Sequence, residues 1–322
     1  MTGSLEAETE AEAFGRRQFL RTLASLSVVP GTLAALRAGA RDVLPNPVGY
    51  ATIAWPRQEL NRALDTISRL GYRGVQLLGW VREAYPAEKA QQLREHLASL
   101  KLQPVALSCW GVQLAPERQG NENAQLRSYA EYFSRLGGTF LQVTDQGSPT
   151  KEYSAEDMKN LGSRMNALGK VAQDFGLTLG YHPHFGTIGE TRKGLGRVLE
   201  ATDPQRVKLI ADVAHLALGG SDPAEVIRTY GDRLCFLHFK DLREEVAAVA
   251  RQDRKLVEAK GPPFCEIGLG VVDFAAVLQA MHAVNFSGWA VVELDDGNST
   301  LGGPDASAAK SRDELREMGF DV

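Results

Sequence analysis

The sequence predicts an α/β fold, a single-domain (β/α)8 TIM barrel, and three observations predict it. From Val48 onward, short apolar runs of β type alternate with longer amphipathic stretches, the pattern of a parallel sheet wrapped in helices. The chain has 322 residues, which after an N-terminal leader is about right for one α/β barrel. Glycines stand where helices must end before several strands: Gly71 before Gly74, Gly137-Gly138 before Phe140, Gly176 before Leu177. With 43% hydrophobic residues the chain can bury the core this fold needs.

In chain order, residues 1–40 read as a leader and residues 41–322 as the barrel. Met1–Phe14 is acidic and without core-forming pattern. Gly15-Arg16-Arg17-Gln18-Phe19-Leu20-Arg21 follows, then an apolar run from Leu23 to Leu36 interrupted by Pro30 and Gly31. That run is shorter than the roughly 20 apolar residues a bilayer span requires. It ends at Ala38-Gly39-Ala40, small residues that suit a cleavage site. Paired arginines ahead of a weakly hydrophobic segment resemble a twin-arginine signal, with Gly15 where Ser or Thr is usual. The resemblance implies handover of a folded protein to the twin-arginine export machinery and a periplasmic or extracellular destination. An amphipathic N-terminal helix is the plainer alternative.

Strands are expected at 49–53, 74–78, 104–108, 140–144, 177–182, 207–212, 234–238 and 290–293. Helices are expected at 57–70, 87–100, 123–136, 155–175, 192–201, 222–230 and 274–284. The first of these carries Leu60, Leu64, Ile67 and Leu70 at helical spacing. Between the last two strands, Asp241–Gly270 inserts a charged helix-like piece (Arg243 to Lys260) and the loop from Gly261 to Gly270. The tail from Asp295, first rich in Gly, Ser and Asp, is expected to drape over the barrel and end in a short helix.

Composition excludes several functions. A net charge of −4 provides no basic footprint for nucleic acid. No G-x-G-x-x-G follows the first strand and no G-x-x-x-x-G-K occurs, so nucleotide cofactors have no signature. Cys109, Cys235 and Cys265 are widely spaced and form no zinc pattern. They read as small buried thiols, with a disulfide left open by an oxidising destination.

Chemistry in such a barrel resides at the C-terminal ends of the strands. There the fifth strand offers Tyr181-His182-Pro183-His184, the sixth Asp212-Val213-Ala214-His215, the seventh His238-Phe239-Lys240-Asp241 and the eighth Val292-Glu293-Leu294-Asp295. Four of the six histidines therefore lie at three successive strand ends. A His, an Asp, a His and a Glu from these four neighbouring strand ends would form a mixed imidazole and carboxylate cage for a divalent metal: Mn, Co, Zn, Fe or, less comfortably, Mg. Each residue has a plainer reading. Asp212 could be only a helix N-cap, Lys240 could pair with a wall carboxylate instead of reaching a substrate oxygen, and Trp55, Trp80 and Trp110 could pack or stack on a sugar. Glu293, flanked by Val291, Val292 and Leu294, is hardest to dismiss, because an uncompensated buried carboxylate is costly.

Asp212-x-x-His215, His238-x-Lys240-Asp241 and Val-Val-Glu293, in that order, resemble the xylose-isomerase-like TIM-barrel superfamily over nearly all of residues 48–322. Gly180-Tyr-His-Pro-His-Phe-Gly-Thr187 with Glu190-Thr191 is similar to its inosose dehydratase branch. The resemblance implies a metal-dependent sugar isomerase or epimerase acting on a keto-sugar or polyol, by proton abstraction beside a metal-polarised carbonyl. A lyase of the inosose dehydratase or keto-glycoside type is the alternative, and an exported non-catalytic sugar-binding barrel is a third. In the superfamily's epimerases the fifth strand ends in a Glu; here His182 stands there. His184 or Glu190 could then serve as base, or replace His182 as ligand, with His215 and Lys240 holding the enediolate. A carbohydrate is the implied substrate and a homodimer through barrel-end loops the implied assembly. Gln76 stands where many relatives carry an acid, and the loop Phe264–Gly270 also departs from the branch pattern.

Overall fold

Each apolar run becomes one stave of a closed parallel barrel. In the computed structural model, which describes residues 43–114, 120–250, 254–295 and 298–322, the strands are β1 (Val48–Ala51), β2 (Gly74–Leu78), β3 (Gln103–Val112), β4 (Phe140–Asp145), β5 (Thr178–Tyr181), β6 (Val207–Asp212), β7 (Leu234–Phe239), β8 (Asp241–Leu242), β9 (Phe264–Cys265) and β10 (Trp289–Val292). The barrel closes in the order β1-β10-β7-β6-β5-β4-β3-β2, every neighbouring pair parallel. The leader with Arg16 and Arg17 lies outside the described residues.

Three differences from expectation have physical reasons. β3 continues past Ser108 to Val112, because after a register shift Gly111 and Val112 still pair with Thr144 and Asp145. The insertion after β7 holds two helices, Glu244–Ala250 and Arg254–Ala259, and an antiparallel ribbon of β8 and β9. Two-residue strands carry no periodicity by which to be recognised. The tail is no drape: Pro304–Glu317 is the barrel's eighth helix, begun by Pro at its first turn. It docks through Trp55 Nε1 donating to Asp305 (2.9 Å) and Tyr72 Oη donating to the Ala308 carbonyl (2.8 Å).

The other barrel helices follow their amphipathic patterns. Two are entered through a 3-10 turn, Arg57–Glu59 before Leu60–Arg69 and Ala87–Lys89 before Ala90–Ser99. Ser154 and Asp157 form a capping box at the start of Ala155–Gln173. The lumen is apolar: Ala51, Ala106, Ile210, Phe236 and Val291 fill it with Phe140 and Trp289. Gly74 makes this possible, since a Cβ there would stand 2.5 Å from the Trp289 ring and 2.4 Å from Val105. The result is a dry hydrophobic floor under the C-terminal mouth. All three cysteines are free thiols, Cys265 buried and the others half-buried.

Candidate functional site

Above that floor the strand ends turn polar. β6 ends on Asp212 and β7 carries His238, which pair in register; His182 follows β5 and Glu293 follows β10. All four are buried. One donor atom from each lies within 4.8 Å of the others. His182 Nε2 and His238 Nδ1 each stand 3.5 Å from Asp212 Oδ2 and 3.4 Å from one another. Ligands about 2.1 Å from one ion at tetrahedral angles stand roughly 3.4 Å apart, so the spacing matches a small divalent cation. Among the three candidates at the fifth strand, His182 is the one brought into this cluster.

Asp212 answers both readings of it. Its Oδ1 accepts the Ala214 and His215 amides at 3.0 and 2.8 Å, capping the helix Val213–Leu218. Its Oδ2 is buried and, among the described residues, has no hydrogen-bond partner. A buried carboxylate oxygen is costly to leave unpaired, and a metal is the partner that this donor set suits.

Burial chiefly lowers the His182 pKa to about 4, so its ring is neutral and free to ligate. Burial alone would raise Glu293 and Asp212, but for Glu293 the His238 and Lys240 charges overcome it and hold the pKa at about 2. For Asp212 the Lys240 ammonium and His215 do the same, keeping it well below the usual carboxylate range. Both remain ionised.

Around the donors lies a polar collar that the sequence did not reveal as a unit. Gln76 from β2 accepts from His238 Nε2 at 2.8 Å, which leaves His238 Nδ1 facing the cluster, and donates to Gln142 of β4 (3.1 Å) and Glu293 (3.3 Å). Gln142 in turn lies 3.3 Å from His182 Nδ1. Single glutamines in apolar strands carry no motif, so only a strand-by-strand reading of inward positions could have found Gln142.

Lys240 is fully buried between carboxylates. Its Nζ is 2.9 Å from Glu293, 3.1 Å from Asp295 and 3.5 Å from Asp212. Burial would lower its pKa, but these three carboxylates raise it, so it is an ammonium. Asp295, quarter-exposed, is a second member that the sequence reading did not single out; burial raises its pKa against the pull of Lys240.

His215 accepts the Phe185 amide at Nδ1 (3.2 Å) and meets Lys240 at Nε2 (3.4 Å). A neutral imidazole has one lone pair, so only one contact is a hydrogen bond, and the shorter is the backbone one. Burial lowers its pKa strongly, keeping it neutral. His184 stacks on His215 with ring centroids 3.8 Å apart; its Nδ1 lies 2.7 Å from the Phe185 carbonyl and donates to it, leaving the Nε2 lone pair free. Glu190 accepts the Gly186 amide at 2.6 Å within its own loop and stands outside the four-donor cluster. Asp241 also turns away, accepting the amides of Leu242, Gly268, Gly270 and Val272.

A sequence profile for a family described as xylose isomerase-like TIM barrel matches residues 64–318. An inosose dehydratase from Geobacillus thermodenitrificans (strain NG80-2) is 26% identical over 294 residues, covering 84% of this chain and 96% of the relative. Among solved structures, an IOLI protein with a bound zinc atom superposes with a TM-score of 0.67 at 16% identity, covering 85% and 98% of the two chains. A 3-keto-D-glucoside 4-epimerase from E. coli superposes with a TM-score of 0.65 at 18% identity, covering 85% and 98%. Such identities show a shared fold.

Proposed function

The chain belongs to the xylose isomerase-like TIM barrel family, and from that premise we propose that it is a metal-dependent lyase removing water, or another β-substituent, from a keto-sugar or inosose. The observation that carries the reading is the convergence of His182, Asp212, His238 and Glu293 around an Asp212 oxygen that accepts no hydrogen bond among the described residues. A divalent ion held by these four would polarise a substrate carbonyl and acidify the neighbouring C–H. The relatives named inosose dehydratase favour this lyase reading over the isomerase or epimerase reading. An imidazole at the fifth strand also removes the second carboxylate that a two-Glu epimerisation uses.

His184 acts as base: its free Nε2 takes the α-proton as the C–H bond breaks. The electrons form the C=C bond, and the β-hydroxyl leaves with its bonding pair. Lys240 and Asp295, 3.1 Å apart, hold the proton that turns it into water. Lys240 also offsets the negative charge that develops on the substrate oxygen. A divalent ion and the Lys240 ammonium would together place positive charge beside the substrate oxygen, where an enolate develops its negative charge.

The first test is elemental analysis of the purified protein beside a His238→Ala/Glu293→Ala double variant. About one equivalent of metal, lost in the variant, supports the reading and justifies assays on inososes and 3-keto-glucosides. No metal, and no thermal shift on adding any, would sink it and favour a non-catalytic sugar-binding barrel. We further propose that residues 1–40 direct export through the twin-arginine machinery. Arg16→Lys/Arg17→Lys is expected to retain the protein in the cytoplasm, measured by cell fractionation; unchanged export would refute this. A homodimer remains the assembly we propose from resemblance, to be measured by light scattering.

A further inference from the structure

A cleft that shares no residue with the four donors lies between the segment after β4 and the helix Arg192–Ala201. Its volume is 450 Å³, within the range of small-molecule sites. Three cations line it, Lys151, Lys193 and Arg197, against one lining carboxylate, Glu152. Asp157 also feels Lys151 and Arg197, but its carboxylate is engaged by the Ser154 amide and hydroxyl, both at 2.8 Å. None of the three cations has a carboxylate within 4 Å among the described residues.

The walls are built rather than incidental. Asp145, buried at the end of β4, accepts the amides of Gly147 (2.8 Å) and Ile188 (3.0 Å) and the hydroxyl of Tyr181 (2.7 Å). One carboxylate thereby ties the loop after β4 to the loop after β5. Arg197 donates to the Tyr153 carbonyl at 2.6 Å, and the Ser148 amide donates to the Tyr153 hydroxyl at 2.7 Å, so the cationic wall is held at a fixed distance from the loop facing it. Clustering like charges costs free energy, and three cations here face a single lining carboxylate.

We infer that this cleft is a binding subsite for a small oxyanion, the phosphate or carboxylate group of a metabolite. An anchored guanidinium and two lysines facing a concave, hydroxyl-lined space match the charge and hydrogen-bonding needs of such a group, and a neutral sugar would use none of the three charges. The site is independent of the metal-lyase reading, since it shares no residue with the donor cluster.

The test is calorimetric titration of the full chain at constant ionic strength with inorganic phosphate, and separately with citrate as a carboxylate probe. Lys151→Glu/Lys193→Glu is the main variant, because both side chains are exposed and, among the described residues, neither has a carboxylate within 4 Å. Glu152→Gln is the second, and metal content is measured beside each. Saturable binding of either probe is expected, weakened about tenfold or more in the double variant, tightened in Glu152→Gln, with metal content unchanged. The stronger probe identifies the anion. If neither probe binds saturably, or the double variant binds as well as the parent, the subsite does not exist.

Discussion

A lysine with no exposed atom, set between three carboxylates at the mouth of a barrel, has to be accounted for by charge. In the absence of a metal, Lys240 neutralises Glu293 and Asp212. With a divalent ion held by the same carboxylates, the ammonium and the ion would share Asp212 and Glu293 and repel one another. Lys240→Met is therefore expected to tighten metal binding about tenfold or more, read by competition with a chelator, while lowering the melting temperature of the metal-free protein. Equal or weaker metal binding would show that orientation of Glu293 outweighs repulsion. His184 makes the opposite kind of prediction. Its replacement by Ala should cost about 100-fold in kcat while metal content stays unchanged, since His184 is outside the donor set.

At the scale of elements, the insertion between β7 and β10 is held by one side chain. Asp241 gathers four amides, Leu242 at 2.8 Å, Gly270 at 2.9 Å and Gly268 and Val272 each at 3.0 Å, and so shapes the loop after β9. Asn is nearly isosteric, yet its NH2 must face two of those N–H donors. Asp241→Asn should destabilise the fold by about 2–4 kcal/mol, measured by urea unfolding. A loss within a few tenths would mean that the loop keeps its shape without these bonds. Glu266 plays the matching part toward the eighth helix, accepting from Thr300 and Ser307. Asp241 adjoins Lys240 in sequence, yet both acids are structural.

For the whole molecule, the site sets the response to acid. The ordinary His pKa is 6.5, and in the folded metal-free protein His182 lies near 4. The unfolded chain therefore takes up a proton that the folded one refuses, and stability, complete above 6.5, falls as pH drops toward 4. The single-group contribution is about 3 kcal/mol. Glu293, held at about 2 from an ordinary 4.5, adds a further loss as pH falls below 4.5. Denaturant midpoints of the metal-free protein should fall steadily between pH 6.5 and 4. In His182→Asn the fall above pH 4.5 should be shallower; an equal slope would place the titrating group elsewhere.

The barrel, its strand ends and three of the four donors were legible in the sequence, because period-2 and period-3.6 patterns are local and a parallel strand delivers its last residues to one face. Asp212, His238 and Glu293 could be named from that, with the fifth-strand member left among His182, His184 and Glu190. What the tertiary structure decided depends on which strands become neighbours. Gln76 reaches His238 only because closure of the barrel brings β2 to face β7, and Gln142 reaches His182 because β4 pairs with β5. Which of His182, His184 and Glu190 joins the cluster was settled by where the chain turns after Tyr181, as was the commitment of Glu190 to Gly186. The terminal helix was expected, but its length and its docking were not legible, because its partner lies 250 residues away, Trp55 against Asp305. Local pattern fixes which residues can meet at a strand end; closure of the barrel fixes which of them do.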